Sequence, residues 1–391
     1  MHWMRWTSLD MDKRIRALKP EGEHGDSRPG QLVWDLPVRV FHWSLLALVG
    51  AMSATGFWAP EWWLSVHVWG GYALGLLIAF RLVWGFVGGR HSRFASFPLT
   101  PGALFTHVRT LVARGRQSHA GHNPGGAWMI LILLGLLSAI VVTGVVSYGG
   151  RENLGPLAFM IGFEAGDVAG ILHGILAWVL LGAVALHILG VVVETRLSKF
   201  SLVGAMITGR KPVSENQADP GGSLILRGLI VAGVTAILVL AGGQGMALLP
   251  GTGWRGLEFP EPYRTECGDC HDAHHPSLRT AADWRTMMAG LADHFGEDAS
   301  LEEEAVGEIR RFLEVNAATT FDTEAANRIG RAATLTGRMT GTDYWKARHK
   351  AIDSLLFRTK AVGSRVNCAA CHADAATGRF NDHAITLPKG E

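Results

Sequence analysis

Residues 169–193 read AGILHGILAWVLLGAVALHILGVVV, a long apolar run that carries two histidines. As a helix rising about 1.5 Å per residue, this run is long enough to cross the roughly 30 Å hydrocarbon core of a bilayer. His173 and His187 are 14 residues apart, so they point to one side of the helix at depths about 21 Å apart. Ionisable side chains within a spanning helix are costly, which makes both histidines candidate functional residues.

Four further apolar runs indicate additional transmembrane helices, since isolated strands would leave backbone groups unpaired in lipid. They cover about 40–58, 64–87, 127–148 and 224–249. The first run follows a charged polar segment, so it does not look like a cleavable signal peptide. We therefore predict an all-α chain, a transmembrane bundle with a mostly helical C-terminal domain. The predicted divisions are an N-terminal segment (1–36), a four-helix membrane domain (37–200), a loop with a fifth helix (201–250), and a soluble domain (251–391).

Basic residues are distributed unevenly among the segments that connect the five runs. They concentrate in the N-terminal segment and in the loops after the second and fourth runs, whereas the other two loops contain only Arg151. By the positive-inside rule, the N-terminus is expected in the cytoplasm, and five crossings place residues 251–391 in the periplasm. The positive charge lies in loops between apolar runs, which favours membrane lipid and not nucleic acid as the partner. The expected location is the bacterial inner membrane.

The direction of each helix predicts how the membrane histidines pair. His42 opens the outward first run, and His67 lies near the start of the inward second run. Equal depth then pairs His42 with His187 near the cytoplasmic face and His67 with His173 near the periplasmic face. Each pair is predicted to bind one haem b through two imidazoles. For any single membrane histidine, a hydrogen-bonded structural role is the alternative.

Other basic side chains in this half carry weaker signals. Arg81 lies deep in the second run, where it could offset the charge of a haem propionate or extend towards the headgroups. His107, His119 and His122 belong to a polar loop, and we expect them to be solvated.

Two CxxCH motifs, CGDCH (267–271) and CAACH (368–372), use all four cysteines of the chain. This pattern attaches haem c through two thioether bonds, and the adjacent histidine supplies one axial ligand. The alternative interpretations of a CxxC pair are a zinc site or a disulfide. Haem c is attached on the periplasmic side in bacteria, so the motifs agree with the charge bias. The predicted attachment and axial residues are Cys267, Cys270 and His271 in the first motif, and Cys368, Cys371 and His372 in the second.

Each haem c requires a sixth ligand or keeps an open position. Predicted helices cover 282–295, 301–317 and 343–357. His294 follows the first motif with enough chain to wrap a haem, and His349 precedes the second by about 20 residues, so these two are the predicted distal ligands. His274 and His275 follow His271 by only three and four residues, so they can scarcely reach the opposite face of the iron. Crossed ligation, His383 or a Met ligand stays open, and the methionine candidates are Met287, Met288 and Met339.

The membrane half resembles a known family. WDLPVRVFHWSLLALVG (34–50), RLVWGFVGGRHSRFASF (81–97) and GHNPGGAW (121–128) are similar to the bacterial cytochrome b561 family, which includes the b-type cytochromes of nickel hydrogenases. The resemblance covers roughly residues 32–200. It implies a four-helix module with two haems b, ligated by the same four membrane histidines, that passes electrons between the quinone pool and a redox partner.

The C-terminal half resembles a second family. CGDCHDAHHPSLRTAADWRTMMAGLADHFGEDASL (267–301), YWKARHKAI (344–352) and NCAACHADAATGRFNDHAI (367–385) are similar to the soluble dihaem cytochromes c. The resemblance covers about residues 260–388. It implies an electron carrier with two bis-histidine haems, in which His294 and His349 match the distal histidines.

The expected function is transfer of electrons between the quinone or quinol pool and a periplasmic acceptor, through two haems b and two haems c. The activity would be of the quinol:cytochrome c type, and the acidic C-terminal domain favours a soluble cytochrome with a basic face as partner. Three alternatives stay open: superoxide oxidation coupled to quinone reduction, a haem-based gas sensor, and an electron-input subunit of a larger complex. Gln244 and the GHNPGG loop are candidates for the quinone site. No catalytic residue is assigned, and the oligomeric state, including a homodimer, stays open.

Overall fold

The computed structural model describes residues 31–113, 121–198, 200–211, 221–331 and 337–388. Most of the predicted N-terminal segment and His119 lie outside these residues. The described helices, in chain order, are α1 (Leu36–Phe57), α2 (Leu64–Val87), α3 (Pro101–Val112), α4 (Pro124–Arg151), α5 (Phe163–Ser198), α6 (Leu202–Thr208), α7 (Gly221–Ala247), α8 (Glu261–Glu266), α9 (Ala281–Ala289), α10 (Glu303–Val315) and α11 (Asp343–Arg348). By length and composition, α1, α2, α4, α5 and α7 could cross a membrane, which confirms the five predicted spans.

Local capping sets the start of the long helices. The Asp35 side chain accepts a hydrogen bond of 2.9 Å from the backbone N–H of Val38 and so caps α1. Asn123 caps α4 in the same way through Gly126, and Pro124 occupies the first turn, where no backbone donor is needed. These caps fix the ends of the helices that carry or face the membrane histidines.

The largest helix–helix contact in the described part of the chain joins α4 to α5. Gly150 and Gly166 allow the two backbones to approach closely, because a Cβ at Gly166 would lie 2.6 Å from the Gly150 Cα. A buried apolar layer fills the centre of the bundle between the two histidine levels. Its residues are Leu74, Ile78, Leu137, Ile140 and Leu180.

A small ladder departs from the all-helical expectation. Strand β1 (Gln31–Leu32) pairs antiparallel with β2 (Arg210–Lys211), with Gln31 opposite Lys211. The ladder ties the chain before α1 to the chain after α6, at the end of the bundle that faces away from the C-terminal domain. We call this end the far side, and the opposite end, which contacts residues 251–388, the domain side.

The C-terminal domain is built from short helices and turns around its own apolar core. That core contains Tyr263, Trp284, Met288, Ile309, Leu313 and Ala317. The predicted helix over 282–295 is shorter than expected. The 282–295 segment ends its helix at Ala289, because Gly290 follows, and continues as a 3-10 turn.

The prediction of one helix over 343–357 is wrong. Helix α11 ends at Arg348, and His349 is its C-cap. Beyond it, the Asp353 side chain accepts a hydrogen bond of 2.9 Å from the backbone N–H of Leu355. Such local side-chain bonds compete with helix continuation, so the residues of the amphipathic pattern after Arg348 lie in turns instead.

Hydrogen bonds and ion pairs hold the C-terminal domain against the bundle. Asp167 on α5 forms an ion pair of 2.6 Å with Arg328, and it also pairs with Arg151 at the end of α4. The backbone N–H of Phe163 donates to the Asp322 carboxylate at 2.9 Å. The domain therefore packs directly on the helix ends of the domain side.

Candidate haem-binding sites

The structure brings His67 on α2 beside His173 on α5 at the domain side. Their ring centroids are 6.0 Å apart. Bonds of about 2 Å from imidazole nitrogens to a metal would place the two nitrogens about 4 Å apart and the ring centroids about 6 Å apart. The pair thus has the spacing that one iron between two imidazoles requires.

The remaining ring nitrogens of this pair are occupied. His67 Nδ1 lies 2.9 Å from the Thr55 hydroxyl, and His173 Nδ1 lies 3.0 Å from the carbonyl oxygen of Ile140. Metal-binding histidines commonly use the second nitrogen in this way, since the bond fixes the tautomer and the ring direction. Both rings are therefore oriented with Nε2 available to a haem.

Two glycines that the sequence did not single out make room for these rings. A Cβ at Gly56 would lie 3.2 Å from His67 Cε1, and one at Gly144 would lie 3.1 Å from His173 Cε1. A cavity of about 430 Å³ lies between the two histidines and extends to Glu152 at the domain side. Apolar walls, two facing imidazoles and a polar mouth suit a haem held by its edges and its iron. We call the space that Gly56 and Gly144 leave for the two rings the cradle. A glycine within an otherwise bulky apolar run is the sequence signal that could have identified it.

The second membrane pair lies nearer the far side. His42 on α1 and His187 on α5 both lie towards the far-side ends of their helices. Arg81 is buried, and its guanidinium lies 4.8 Å from the Phe94 ring centroid instead of extending towards headgroups. Its Nη1 has no hydrogen-bond partner among the described residues, and neither has His42 Nδ1. An unpartnered buried guanidinium nitrogen fits an anionic group such as a haem propionate.

The first CxxCH motif lies opposite His294. The centroids of the His271 and His294 rings are 6.2 Å apart with an interplanar angle of 29°. A tight turn presents His294, whose backbone bridges to Glu297, and Phe295 within it has a φ of 58°. A non-glycine residue in this left-handed region of φ is strained, and such strain is common where a functional side chain must be held in position.

His274 is the competing side chain at this site. Its ring stacks on His271 at 4.8 Å, and burial together with the neighbouring positive charges lowers its pKa to about 4. That distance is too short for an iron between the two imidazoles. The geometry thus favours His294 over His274 as the opposite ligand.

The second CxxCH motif lies opposite His349. The His349 and His372 ring centroids are 6.1 Å apart. His349 Nδ1 bonds the carbonyl oxygen of Trp345 at 2.8 Å, so its Nε2 is available. Phe380, with a φ of 54°, packs its ring 5.3 Å from His372. This site repeats the first in both imidazole spacing and an adjacent strained phenylalanine.

The other candidate ligands have different environments. Met288 is buried in the core of the C-terminal domain, and Met287 packs against that core. His275 is buried with its Nδ1 bonded to the Ser277 hydroxyl at 2.8 Å, whereas His383 is exposed. All four cysteines are unpaired, and no group of three or more metal-ligating side chains converges within the described ranges.

The expectation that the loop histidines are solvated is wrong for the two that the structure describes. His107 is buried, and the His122 ring packs 4.4 Å from Trp34 and 4.7 Å from Phe97. Burial, with nearby Lys211 and Arg81, lowers the pKa of His122 to about 3. The loop folds back onto the far side of the bundle, which its polar composition did not reveal.

Comparison with known families agrees with this arrangement. Residues 33–209 match the family described as prokaryotic cytochrome b561, and residues 263–380 match dihaem cytochrome c. The chain thus carries a part that matches cytochrome b561, at residues 33–209, followed by a part that matches dihaem cytochrome c, at residues 263–380. The two families imply haem b and haem c, a membrane setting, and electron transfer as the general activity.

Individual relatives match one half of the chain each. A probable Ni/Fe-hydrogenase B-type cytochrome subunit from Rhizobium leguminosarum bv. viciae is 25% identical, and the match covers 50% of this chain and 94% of that relative. The corresponding subunit from Rhodobacter capsulatus is 23% identical, and the match covers 49% of this chain and 85% of that relative. The solved structure of DHC from Rhodobacter sphaeroides is 33% identical and covers 32% of this chain and 100% of its own, with a TM-score of 0.26. The dihaem cytochrome c of Shewanella baltica OS155 is 27% identical, covering 33% and 95%, with a TM-score of 0.27.

Proposed function

We propose that this protein conducts electrons across the bacterial inner membrane, between the quinol pool and a periplasmic acceptor, through two haems b and two haems c. The observation that carries the proposal is the recurrence of one spacing. Three histidine pairs, one in the bundle and two in the attached domain, have ring centroids 6.0–6.2 Å apart. Bound haems would supply one-electron chemistry, whereas the chain supplies ligands, insulation and position.

The proposed ligands of the haems b are His42 with His187 and His67 with His173. For the haems c they are His271 with His294 and His372 with His349, each haem being attached through its motif's two cysteines. With two histidines at each haem, no metal position would be left open for a substrate. The residues thus favour electron transfer over chemistry at a metal.

The C-terminal domain is proposed to take the place of a separate redox partner. The relatives of the membrane half are named as hydrogenase subunits, whereas here residues 322–328, 348 and 382 hold the chain's own domain against the helix ends. We infer that the first acceptor of the membrane haems belongs to the same polypeptide.

Quinol is proposed as the electron donor from the membrane. The sequence suggested two candidate quinone sites, the GHNPGG loop and Gln244. In the loop, Asn123 caps α4, and the carbonyl oxygen of Gly121 accepts a hydrogen bond of 2.8 Å from Lys211 Nζ, so both residues stabilise the fold. Gln244 lies exposed on α7. We therefore assign no quinone-binding residue.

The proposed soluble partner is a redox protein with a basic face. Exposed carboxylates surround the first CxxCH motif and His294, and complementary charge accelerates docking. They belong to Glu266, Asp269, Asp272, Asp293, Glu297 and Asp298. Reduction of a basic soluble cytochrome should slow as ionic strength rises, and an unchanged rate would contradict this partner.

The orientation follows from the charge bias: the N-terminus is proposed to be cytoplasmic and the C-terminal domain periplasmic. Protease added to intact spheroplasts should cleave the C-terminal domain and release no N-terminal fragment.

A pyridine haemochrome assay with anaerobic quinol addition tests the whole proposal. The purified chain should contain equal amounts of haem b and haem c, and a short-chain ubiquinol should reduce both. A protein that contains haem c alone, or whose haem b does not respond to quinol, would overturn it.

A further inference from the structure

The two CxxCH sites are placed differently relative to the membrane bundle. Arg348, the residue before His349, forms an ion pair of 2.8 Å with Glu61, which lies just before α2. Arg348 also pairs with Asp382, ten residues after His372. Chain on both sides of the second site is therefore bonded to the domain side of the bundle or to the residues that contact it.

Asp382 also lies at the cavity that contains the domain-side membrane histidines. Its backbone N–H donates to the Glu152 carboxylate at 3.0 Å, and its side chain lines the cavity between His67 and His173. The turn Asp382–Ala384 packs against the turn Glu61–Trp63 and against α2. Ile385, directly after this turn, bridges to His372. One turn of chain thus connects the second CxxCH site to the wall of the membrane cavity.

The first CxxCH site has a more exposed surface than the second. The two sites adjoin, because a Cβ at Gly378, six residues after His372, would overlap the ring of His275, four residues after His271. Residues around the first site face solvent: Cys270 and Phe295 are exposed, as are the carboxylates described above. Apart from the start of the domain, where Thr252 bonds Ala158, the contacts with the bundle given above come from chain that follows this site.

We propose that electrons enter the C-terminal domain at the Cys368/Cys371 site and leave it from the Cys267/Cys270 site, with Arg348 as the positioning residue of the entry. The inference rests on the proposed electron-transfer function and adds the order of the sites. These histidine pairs would hold haems that supply one-electron chemistry. A haem at the His67/His173 site would be oxidised by one electron as a haem at the His349/His372 site is reduced. That electron would then reach the His271/His294 site and the soluble oxidant, with no bond made or broken.

Removing one attached haem at a time tests the order in the full chain. The protein is reduced with dithionite, freed of excess reductant and mixed with ferricyanide, while haem b and haem c are followed separately by their absorption bands. In C368A/C371A, the fast phase of haem b re-oxidation should be lost. In C267A/C270A, electrons should still leave haem b in a fast phase, because the entry site is intact. Loss of the fast phase only in C267A/C270A, or in neither variant, would overturn the order.

Dithionite and ferricyanide make this test independent of quinol. A failure of quinol to reduce haem b would contradict the proposed function but leave the order of sites measurable. Conversely, a protein that oxidises quinol but shows the opposite order would contradict only the present inference.

A milder substitution keeps all four haems and tests the positioning residue. Arg348→Gln should slow haem b re-oxidation, and Arg348→Lys should restore most of the rate, since it keeps the charge facing Glu61 and Asp382. Arg285→Gln is the matched control, because Arg285 pairs with Glu314 inside the C-terminal domain at 3.1 Å. Haem c spectra and midpoint potentials should be unchanged in Arg348→Gln. If haem b in Arg348→Gln is re-oxidised at the wild-type rate, Arg348 is not the positioning residue. The same conclusion follows if Arg285→Gln slows haem b re-oxidation equally.

Discussion

The membrane bundle and the C-terminal domain position their histidines in different ways. In the bundle, all four candidate ligands project from long helices, and the helix period fixes the direction and depth of each side chain. In the C-terminal domain, His349 is the cap of a six-residue helix, and His294 and His372 follow 3-10 turns. Regular secondary structure organises the first set, and turns stabilised by tertiary contacts organise the second.

This difference predicts how each region responds to damage. A haem b would have no covalent bond to the chain, so it would depend on the imidazole pair and on the shape of the cavity. A haem c would be held by thioether bonds, so the loss of a distal ligand should change its chemistry and not its content. The following experiments separate these two modes.

The largest effect is expected from His173→Ala. Removing one imidazole of the domain-side membrane pair should release that haem, which lowers the haem b content by about half and leaves haem c unchanged. A pyridine haemochrome assay measures both. His383→Ala, at an exposed histidine outside the pairs, should retain all haem. Full haem b in His173→Ala would refute the assigned ligand.

In the C-terminal domain, His294→Ala should keep its covalent haem but open one coordination position. The reduced variant should bind carbon monoxide rapidly, whereas the wild-type protein should not. His274→Ala is the sharp control, because His274 also stacks on His271 but lies too close for an iron between them. Rapid carbon monoxide binding in His274→Ala, and not in His294→Ala, would reverse the assignment.

A smaller effect is expected from filling the cradle in the bundle. In Gly144→Ala, the new methyl group would lie 3.1 Å from His173 Cε1 and push the ring. Overpacking of this kind costs about 1–3 kcal/mol, so haem b should be lost at a lower temperature. Gly135→Ala, on the same helix with no neighbour within 4 Å, should behave as wild type. Equal heat stability of the two variants would show that the cradle does not constrain His173.

The smallest effect concerns the contact between the two regions. Burial, with Asp382 and Glu324 nearby, raises the pKa of Glu152 from its ordinary value of 4.5 to about 8. An acid with a raised folded-state pKa stabilises the docked form less as pH rises from 4.5 through about 8, by at most about 1.4 kcal/mol per pH unit. Proteolysis of the 251–260 linker should therefore be faster at pH 9 than at pH 6.

Glu152→Gln isolates this carboxyl, because the amide keeps an acceptor for the Asp382 N–H without a charge. Its proteolysis rate should vary less between pH 6 and pH 9 than that of the wild type. An identical pH profile in both proteins would assign the dependence to other groups.

The sequence predicted the parts of the sites that local patterns encode. Apolar runs predicted five helices, and the 14-residue interval between His173 and His187 predicted a common helix face. It did not predict Gly56 and Gly144 beside the rings, because a glycine's role depends on what approaches it from another helix. The helix predicted at 343–357 failed for a related reason, since side-chain bonds to the backbone near Asp353 outweighed amphipathic periodicity.

By itself, the sequence determined the helical membrane half and the two CxxCH motifs, and it predicted the histidines that could serve them, since each depends on spacing along one segment. Only the tertiary structure decided which attachment site faces the bundle. That choice depends on contacts such as Arg348 with Glu61, which are 287 positions apart. Spacing along a helix is set by backbone geometry within a few turns, whereas such a contact exists only after both regions have folded and their surfaces have met.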